Sequence, residues 1–193
     1  MAKSPLPRFV LRVIAWLPVA FAAWYVLAPV ILAPAQWLAT LVARGAFGDL
    51  VRGVDASGAT LSFVTTLKAG RADASGVLTV DVNMLLYSFG LPLFAALTLA
   101  AGEPRRARTL LVGYATMLPF VAWGVLADFL KNIAVTAPAM IASQAGFSAL
   151  DRDIIAFAYQ FGALILPSVV PAVAWVLTHR AFLERMRAAH GGG

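Results

Sequence analysis

The sequence predicts an all-α membrane protein: a bundle of four transmembrane helices with a small extracytoplasmic antiparallel β-meander between helices 1 and 2. The first observation is composition, because 61% of the 193 residues are hydrophobic, only 12% are charged and the mean hydropathy is +0.84, unlike a soluble domain. The second is four uncharged stretches, each as long as the roughly 20 residues that cross a bilayer. The third is a segment rich in Thr, Val and Ser after the first stretch. A single membrane domain, residues 1–193, follows.

The four predicted spans cover about residues 11–33, 84–102, 109–128 and 154–178. The first apolar run continues uncharged to Ala43, which is too long for one straight crossing, and Pro29 and Pro34 remove helical amide donors there. We therefore expect a separate interfacial helix over about residues 35–46. A cleavable signal peptide is the competing interpretation, but its apolar core has about 7 to 15 residues, so an uncleaved anchor is favoured.

The segment between the first two spans, about residues 50–83, alternates in the way strands do. Ala59, Leu61, Phe63, Thr65 and Leu67 share one parity, and Leu78, Val80 and Val82 alternate with polar residues. Turn residues occur at 55–58 and 69–76. We expect three strands that lead into the second span, with their apolar face on the membrane domain, the bilayer surface or a partner, because so small a sheet is marginal alone.

The distribution of Lys and Arg predicts the orientation, because cytoplasmic flanks carry an excess of both. One side has nine basic residues against Glu103 and Glu184: Lys3, Arg8, Arg12, Arg105, Arg106, Arg108, Arg180, Arg185 and Arg187. The other side has Arg44, Arg52, Lys68, Arg71, Lys131 and Arg152, matched by Asp49, Asp55, Asp73, Asp81, Asp128, Asp151 and Asp153. We therefore expect an inner-membrane protein with both termini in the cytoplasm. The β segment and a bent, partly helical loop at about 129–153 would be periplasmic.

Several classes of function are disfavoured. The net charge of +6 comes from basic residues scattered between apolar blocks, so a nucleic-acid partner is not expected. The absence of Cys excludes disulfides, thiolate metal sites and a cysteine nucleophile. His179 and His190 lie beside arginines on the predicted cytoplasmic tail, where we expect solvated flanks. No catalytic residue, metal site or cofactor is predicted.

Polar residues do gather where the predicted spans meet the periplasm. Asp81 and Asn83 end the last strand, and Asp128, Lys131 and Asn132 end the third span, so all five should lie near one depth. A functional cluster for binding or assembly is one interpretation; interfacial solvation with a local Asp128–Lys131 pair is the other. An intramembrane aspartyl protease is disfavoured, since neither Asp lies deep in a span.

Four further polar side chains within the spans are notable. Tyr87 belongs to the second span and Tyr114 to the third. Tyr159 and Gln160 lie near the outer end of the fourth, where they could hydrogen-bond across helices. Ordinary helix packing is the alternative. Proline within each of the last three spans predicts kinked helices.

Six sequence blocks together resemble the exosortase H-associated membrane proteins. They are RFVLRVIAWLP (8–18), WYVLAP (24–29), ATLSFVTTL (59–67), VDVNMLLY (80–87), PFVAWG (119–124) followed by Asp128 and Phe129, and YQFG (159–162) leading to PSVVP (167–171). Their order and spacing carry the resemblance over most of the chain.

The resemblance implies a partner role. Exosortases are multipass Cys-dependent enzymes that process proteins bearing a C-terminal sorting helix and basic tail. The resemblance implies that this chain, which has no Cys, is a non-enzymatic accessory subunit. It would bind an exosortase H-type enzyme, the sorting helix of its substrates, or both. The matched polar positions Asp81, Asn83, Tyr87, Asp128, Tyr159 and Gln160 would then face a partner or hold the β segment. A small transporter or channel component is the alternative, suggested by the proline-broken spans, and a membrane hydrolase comes third.

Overall fold

The computed structural model describes residues 6–68 and 76–191. The predicted turn at 69–76, apart from Gly76, lies outside these residues, as do Lys3, Arg71 and Asp73. The described chain is mostly helical and contains one small three-stranded antiparallel sheet, which confirms the mostly helical fold and the meander but not the four predicted spans. The helices are α1 (Leu6–Val26), α2 (Ala28–Ile31), α3 (Ala33–Ala46), α4 (Leu85–Ser88), α5 (Gly90–Ala101), α6 (Arg106–Lys131), α7 (Ala139–Ala142), α8 (Ala149–Gln160), α9 (Leu166–Thr178) and α10 (Arg180–Gly191).

Three helical stretches of the described chain are long and apolar enough to cross a membrane: Leu6–Val26, Arg106–Thr136 and Ala149–Thr178. The predicted second span is shorter than these three. It forms a shorter apolar helix, Leu85–Ala101, which at 1.5 Å per residue is about 25 Å long. Gly102 ends it with a left-handed φ of +68°, a conformation that glycine adopts without strain.

Helix α5 lies inside the bundle, where it packs against α1, α6 and α9. Phe94 is buried against Gly113 of α6, where a Cβ would collide with its ring. A Cβ at Gly90 would lie 2.5 Å from the backbone oxygen of Pro167. Small residues therefore set the close approach of these helices, as they do in membrane bundles.

The sheet has the order β1 (Val51–Ser57), β2 (Thr60–Lys68), β3 (Val77–Asn83). Leu61, Phe63 and Leu67 are buried, as their shared parity predicts. Phe63 stacks on Phe129 near the end of α6, with ring centroids 4.3 Å apart. The apolar face of the sheet therefore lies on the helical domain.

Helix α3 runs alongside α6. Just before α3, the Tyr114 hydroxyl donates to the Ile31 carbonyl oxygen at 2.6 Å; just after it, Phe47 lines a cleft with Ala127 and Leu130. The buried face of α3 is its alanine stripe, Ala35, Ala39 and Ala43. Its placement at a membrane interface stays a prediction.

Two long helical stretches change their winding, one near its C-terminal end and the other in its middle. Helix α6 continues into a π-helical segment, Asn132–Thr136, and α8 passes into α9 through another, Phe161–Ile165. Such wide turns are rare, occur mostly as single turns inside α-helices and are frequent at functional sites.

Candidate functional site

Asp128 is the centre of the candidate site. It is 8% exposed, and its carboxylate forms a salt bridge of 3.1 Å with Lys131 Nζ, as the spacing predicts. Asn132 Nδ2 donates to both the backbone oxygen and Oδ1 of Asp128, at 2.9 and 3.0 Å. Lys131 Nζ in turn donates to Asn132 Oδ1 at 3.3 Å. The three side chains satisfy one another's charge and hydrogen bonds.

Two tyrosines complete the site. Lys131 Nζ lies 4.5 Å from the centroid of the Tyr159 ring, a cation–π distance. The Tyr87 side chain is 3% exposed and interacts with the side chains of Asp128 and Tyr159. The structure thus brings five predicted residues together on α4, α6 with its π segment, and α8. We name this set the Asp128 cluster: Tyr87, Asp128, Lys131, Asn132 and Tyr159.

Glycines let the Asp128 cluster assemble. A Cβ at Gly124, one turn before Asp128, would lie 2.5 Å from Cδ1 of the Tyr87 ring. A Cβ at Gly162 would lie 3.2 Å from the Cα of Gly124. Tyr87 and the helix that carries Tyr159 can therefore press directly on the backbone of α6.

Both π segments begin at the cluster. One starts at Asn132 itself, and the other starts at Phe161, two residues after Tyr159. A π turn shifts the side chains that follow it around the helix. The first change in winding therefore coincides with the polar residues of the cluster, and the second lies between Tyr159 and Pro167, the second residue of α9.

The remaining predicted residues lie apart from the cluster. Asn83 Oδ1 accepts from the backbone N–H of Leu85 at 3.0 Å, so it holds the start of α4. Gln160 is exposed, and within the described chain its side chain makes no hydrogen bond across helices. Asp81 is exposed on β3 and lines, with Asn132, a cleft of about 280 Å³.

His179 corrects the expectation of a solvated flank. It is 1% exposed and stacks on Trp175 with ring centroids 5.1 Å apart. Phe9 stacks on Trp175 at 5.7 Å and meets Phe182 at 5.2 Å. We name Phe9, Trp175, His179 and Phe182 the aromatic cluster. Positions 175, 179 and 182 follow the i, i+4, i+7 spacing of one buried helix face, a signal that was available in the sequence.

Gln144 is a second residue that sequence reasoning missed. Its Oε1 accepts from the backbone N–H of Lys68 at 3.0 Å, and its Nε2 donates to the Lys68 carbonyl oxygen at 3.3 Å. An amide side chain thus pairs with the end of β2 as a neighbouring strand would. No pattern around position 144 signals this contact.

Within residues 6–68 and 76–191, no three His, Asp or Glu side chains are grouped as metal ligands.

A family model described as exosortase H-associated membrane protein matches residues 3–182. The chain belongs to this family. No curated protein and no solved structure matches it significantly. The Asp128 cluster and the aromatic cluster both lie within the region shared with the exosortase H-associated membrane proteins.

Proposed function

We propose that the protein is a non-enzymatic accessory subunit that binds an exosortase and assists the sorting of proteins with a C-terminal sorting signal. The observation that carries this proposal is the family match over residues 3–182. The family is named for its association with exosortase H. A chain without cysteine would contribute binding surfaces rather than a thiolate nucleophile.

The proposed topology has four spans, both termini in the cytoplasm of a bacterial cell and the sheet in the periplasm. Helix α5 with α4 would be the fourth crossing, because it lies among α1, α6 and α9 and reaches the lower limit of about 17 residues for a span. Arg185 pairs with Glu103 at 2.7 Å, at the end of the bundle opposite the sheet. This arrangement supports a cytoplasmic arginine-rich end.

The Asp128 cluster is proposed to hold the periplasmic part of the protein in place for its partner. Two carboxylates that share a proton would be needed for aspartyl protease chemistry. Asp128 instead contacts a cation, Lys131, and an amide, Asn132. These contacts support a structural or partner-binding role over hydrolysis.

A membrane-embedded partner would find apolar surface on α1. Leu11, Ile14 and Val26 are largely exposed, and α1 packs mainly on α5. An apolar groove of about 390 Å³ lies between α1, α5 and α6, with Trp16 and Tyr114 in its walls. Lipid tails or an exosortase helix would fit this surface.

Co-purification tests the proposal. The tagged protein is extracted in mild detergent from membranes that contain the exosortase H of the same cell, and the retained enzyme is quantified. We expect the exosortase to be retained with the wild-type protein. Its absence, under conditions that preserve another membrane complex, would contradict the proposal.

Reporter fusions test the topology separately. A reporter in the connector at residues 105–108 should be cytoplasmic, and one at Ser57 should be periplasmic. The reverse result at either site would overturn the proposed orientation without bearing on the partner.

The second candidate is a small transporter or channel component. It is favoured by the two π segments and by Pro119 and Pro171 inside long helices, since broken helices form transport sites. Flux through proteoliposomes that contain only this protein would support this candidate, and impermeable proteoliposomes would count against it.

A further inference from the structure

Strand β3 has an edge that no described strand covers. It is the last strand in the order β1-β2-β3. The Met84 N–H donates to the Ala59 carbonyl oxygen at 2.9 Å, which places Val82 and Val80, two and four residues earlier, in the hydrogen-bonded pairs with β2. The N–H and C=O groups of Thr79 and Asp81 therefore point to the opposite side of the strand.

A cleft runs along this edge. The cavity of about 280 Å³ is lined by four consecutive residues of β3, from Leu78 to Asp81. Successive strand side chains point to opposite faces, so a cavity that touches all four lies beside the backbone rather than on one face. Since β2 occupies one edge, the cleft follows the other.

The far wall of the cleft is tied to the sheet. It consists of Asn132, Thr136, Ala137, Pro138 and Ile141. Gln144, which follows this wall by one helical turn, makes two hydrogen bonds to the backbone of Lys68 on β2. The cleft is thus bounded on one side by strand backbone that pairs with no other described strand, and on the other by a segment that Gln144 ties to β2.

The charge beside the edge is negative. Asp81 is exposed and takes part in neither salt bridge of the described residues. Asp55 and Asp81 flank Ser62 on its two sides in the register of the sheet, so both carboxylates share one face. A binding partner at this edge gains from a basic side chain.

We propose that an extended periplasmic segment of the exosortase pairs with β3 as a fourth strand and places a Lys or Arg beside Asp81. Strand addition of this kind draws affinity from main-chain hydrogen bonds and specificity from neighbouring side chains. A second copy of this chain is the poorer occupant, because β3 paired with itself would bring two Asp81 carboxylates together. The inference rests on the proposed function, since it assigns a contact within that complex.

A proline substitution at the outer edge of β3 tests the main-chain hydrogen bonds to the partner. Thr79→Pro removes an outward N–H and leaves the bonds to β2 intact, and edge positions tolerate proline. We expect it to reduce the exosortase retained in the co-purification about tenfold, equivalent to about 1.4 kcal/mol, or one to two hydrogen bonds. The matched control, Thr79→Val, keeps the N–H and should retain the wild-type amount.

A pair of charge variants makes the test independent of backbone changes. Asp81→Asn should reduce retention about threefold at low salt, a value typical of an exposed ion pair. Asp55→Asn removes a carboxylate from the same face but from the strand at the opposite edge, and should leave retention unchanged. Equal effects of Asp81→Asn and Asp55→Asn would contradict the assigned position of the partner.

Photo-crosslinking identifies the occupant. p-Benzoylphenylalanine at position 79, in native membranes, should crosslink to the exosortase, and mass spectrometry should locate the adduct in a periplasmic segment next to a Lys or Arg. An adduct to a sorted protein or to a second copy of this chain would overturn the inference. If wild-type protein retains the exosortase but Thr79→Pro and Asp81→Asn do so equally well, this inference fails while the proposed function stands.

Discussion

The two ends of the helical bundle are held together in different ways. At the Asp128 cluster, each charged or amide group has a partner within 3.3 Å. At the aromatic cluster, His179 Nε2 and Trp175 Nε1 are buried without a hydrogen-bond partner among the described residues, and stacked rings dominate. One end depends on matched polar groups, the other on shape and apolar contact. Substitutions that remove polar atoms should therefore act unequally at the two ends.

The largest effect is expected for Lys131→Met. It removes the cation and leaves the mostly buried Asp128 carboxylate unneutralised, a change that costs about 3 kcal/mol in buried pairs. SDS titration in mixed micelles measures the free energy of unfolding. Adding Asp128→Asn to Lys131→Met should recover most of the loss, because the uncompensated charge is gone. A double variant no more stable than Lys131→Met would show that the pair does not act through charge.

Gly124→Ala should come next, with a loss of about 2 kcal/mol. The added Cβ would lie 2.5 Å from the Tyr87 ring, and overpacking of this kind commonly costs about 1–3 kcal/mol. Gly45→Ala is the matched control, because a Cβ there meets nothing within 4 Å in helix α3; it should be neutral or slightly stabilising. Similar melting temperatures for the two variants in detergent would contradict the close packing of Tyr87 on α6.

His179→Phe probes the aromatic cluster and should change stability by less than about 1 kcal/mol. The new ring retains the stacking on Trp175 and removes a buried nitrogen that has no partner in the described chain. The Nδ1 contacts to Trp175 O and Thr178 Oγ1, both 3.0 Å, are the part that is lost. A loss as large as that of Lys131→Met would erase the distinction between the two ends.

Arg185→Gln should have the smallest effect, below about 0.5 kcal/mol. The Arg185 side chain is 65% exposed, and exposed ion pairs contribute little. The difference from wild type should shrink further as salt is raised, because exposed charges are screened. A larger loss that is insensitive to salt would indicate that the Glu103 contact holds α10 in place by more than a surface ion pair.

The sheet was predictable because its signal is local. Leu61, Phe63 and Leu67 alternate with more polar residues over one strand, and the same period recurs at Val80 and Val82, so burial follows from the pleat. The Asp128–Lys131 pair was also predictable, since residues that are three positions apart on a helix are neighbours. Both predictions depend only on residues that are close together in the sequence.

Features that depend on distant residues were not predictable. The buried position of Tyr87 requires Gly124, and the π segment at Asn132 has no sequence pattern of its own. Gln144 reaches β2 across 76 positions of sequence, which no periodicity encodes.

Gln144 also bears on how fast a segment can enter the cleft beside β3. Gln144 ties the far wall of the cleft to β2, the neighbour of β3, before a partner arrives. The binding surface would therefore need no folding step, and little of its conformational entropy would be lost on binding. Association would then be governed by collision and orientation. Asparagine at this position, one methylene shorter, would fall short of the Lys68 backbone, free the wall and slow productive docking.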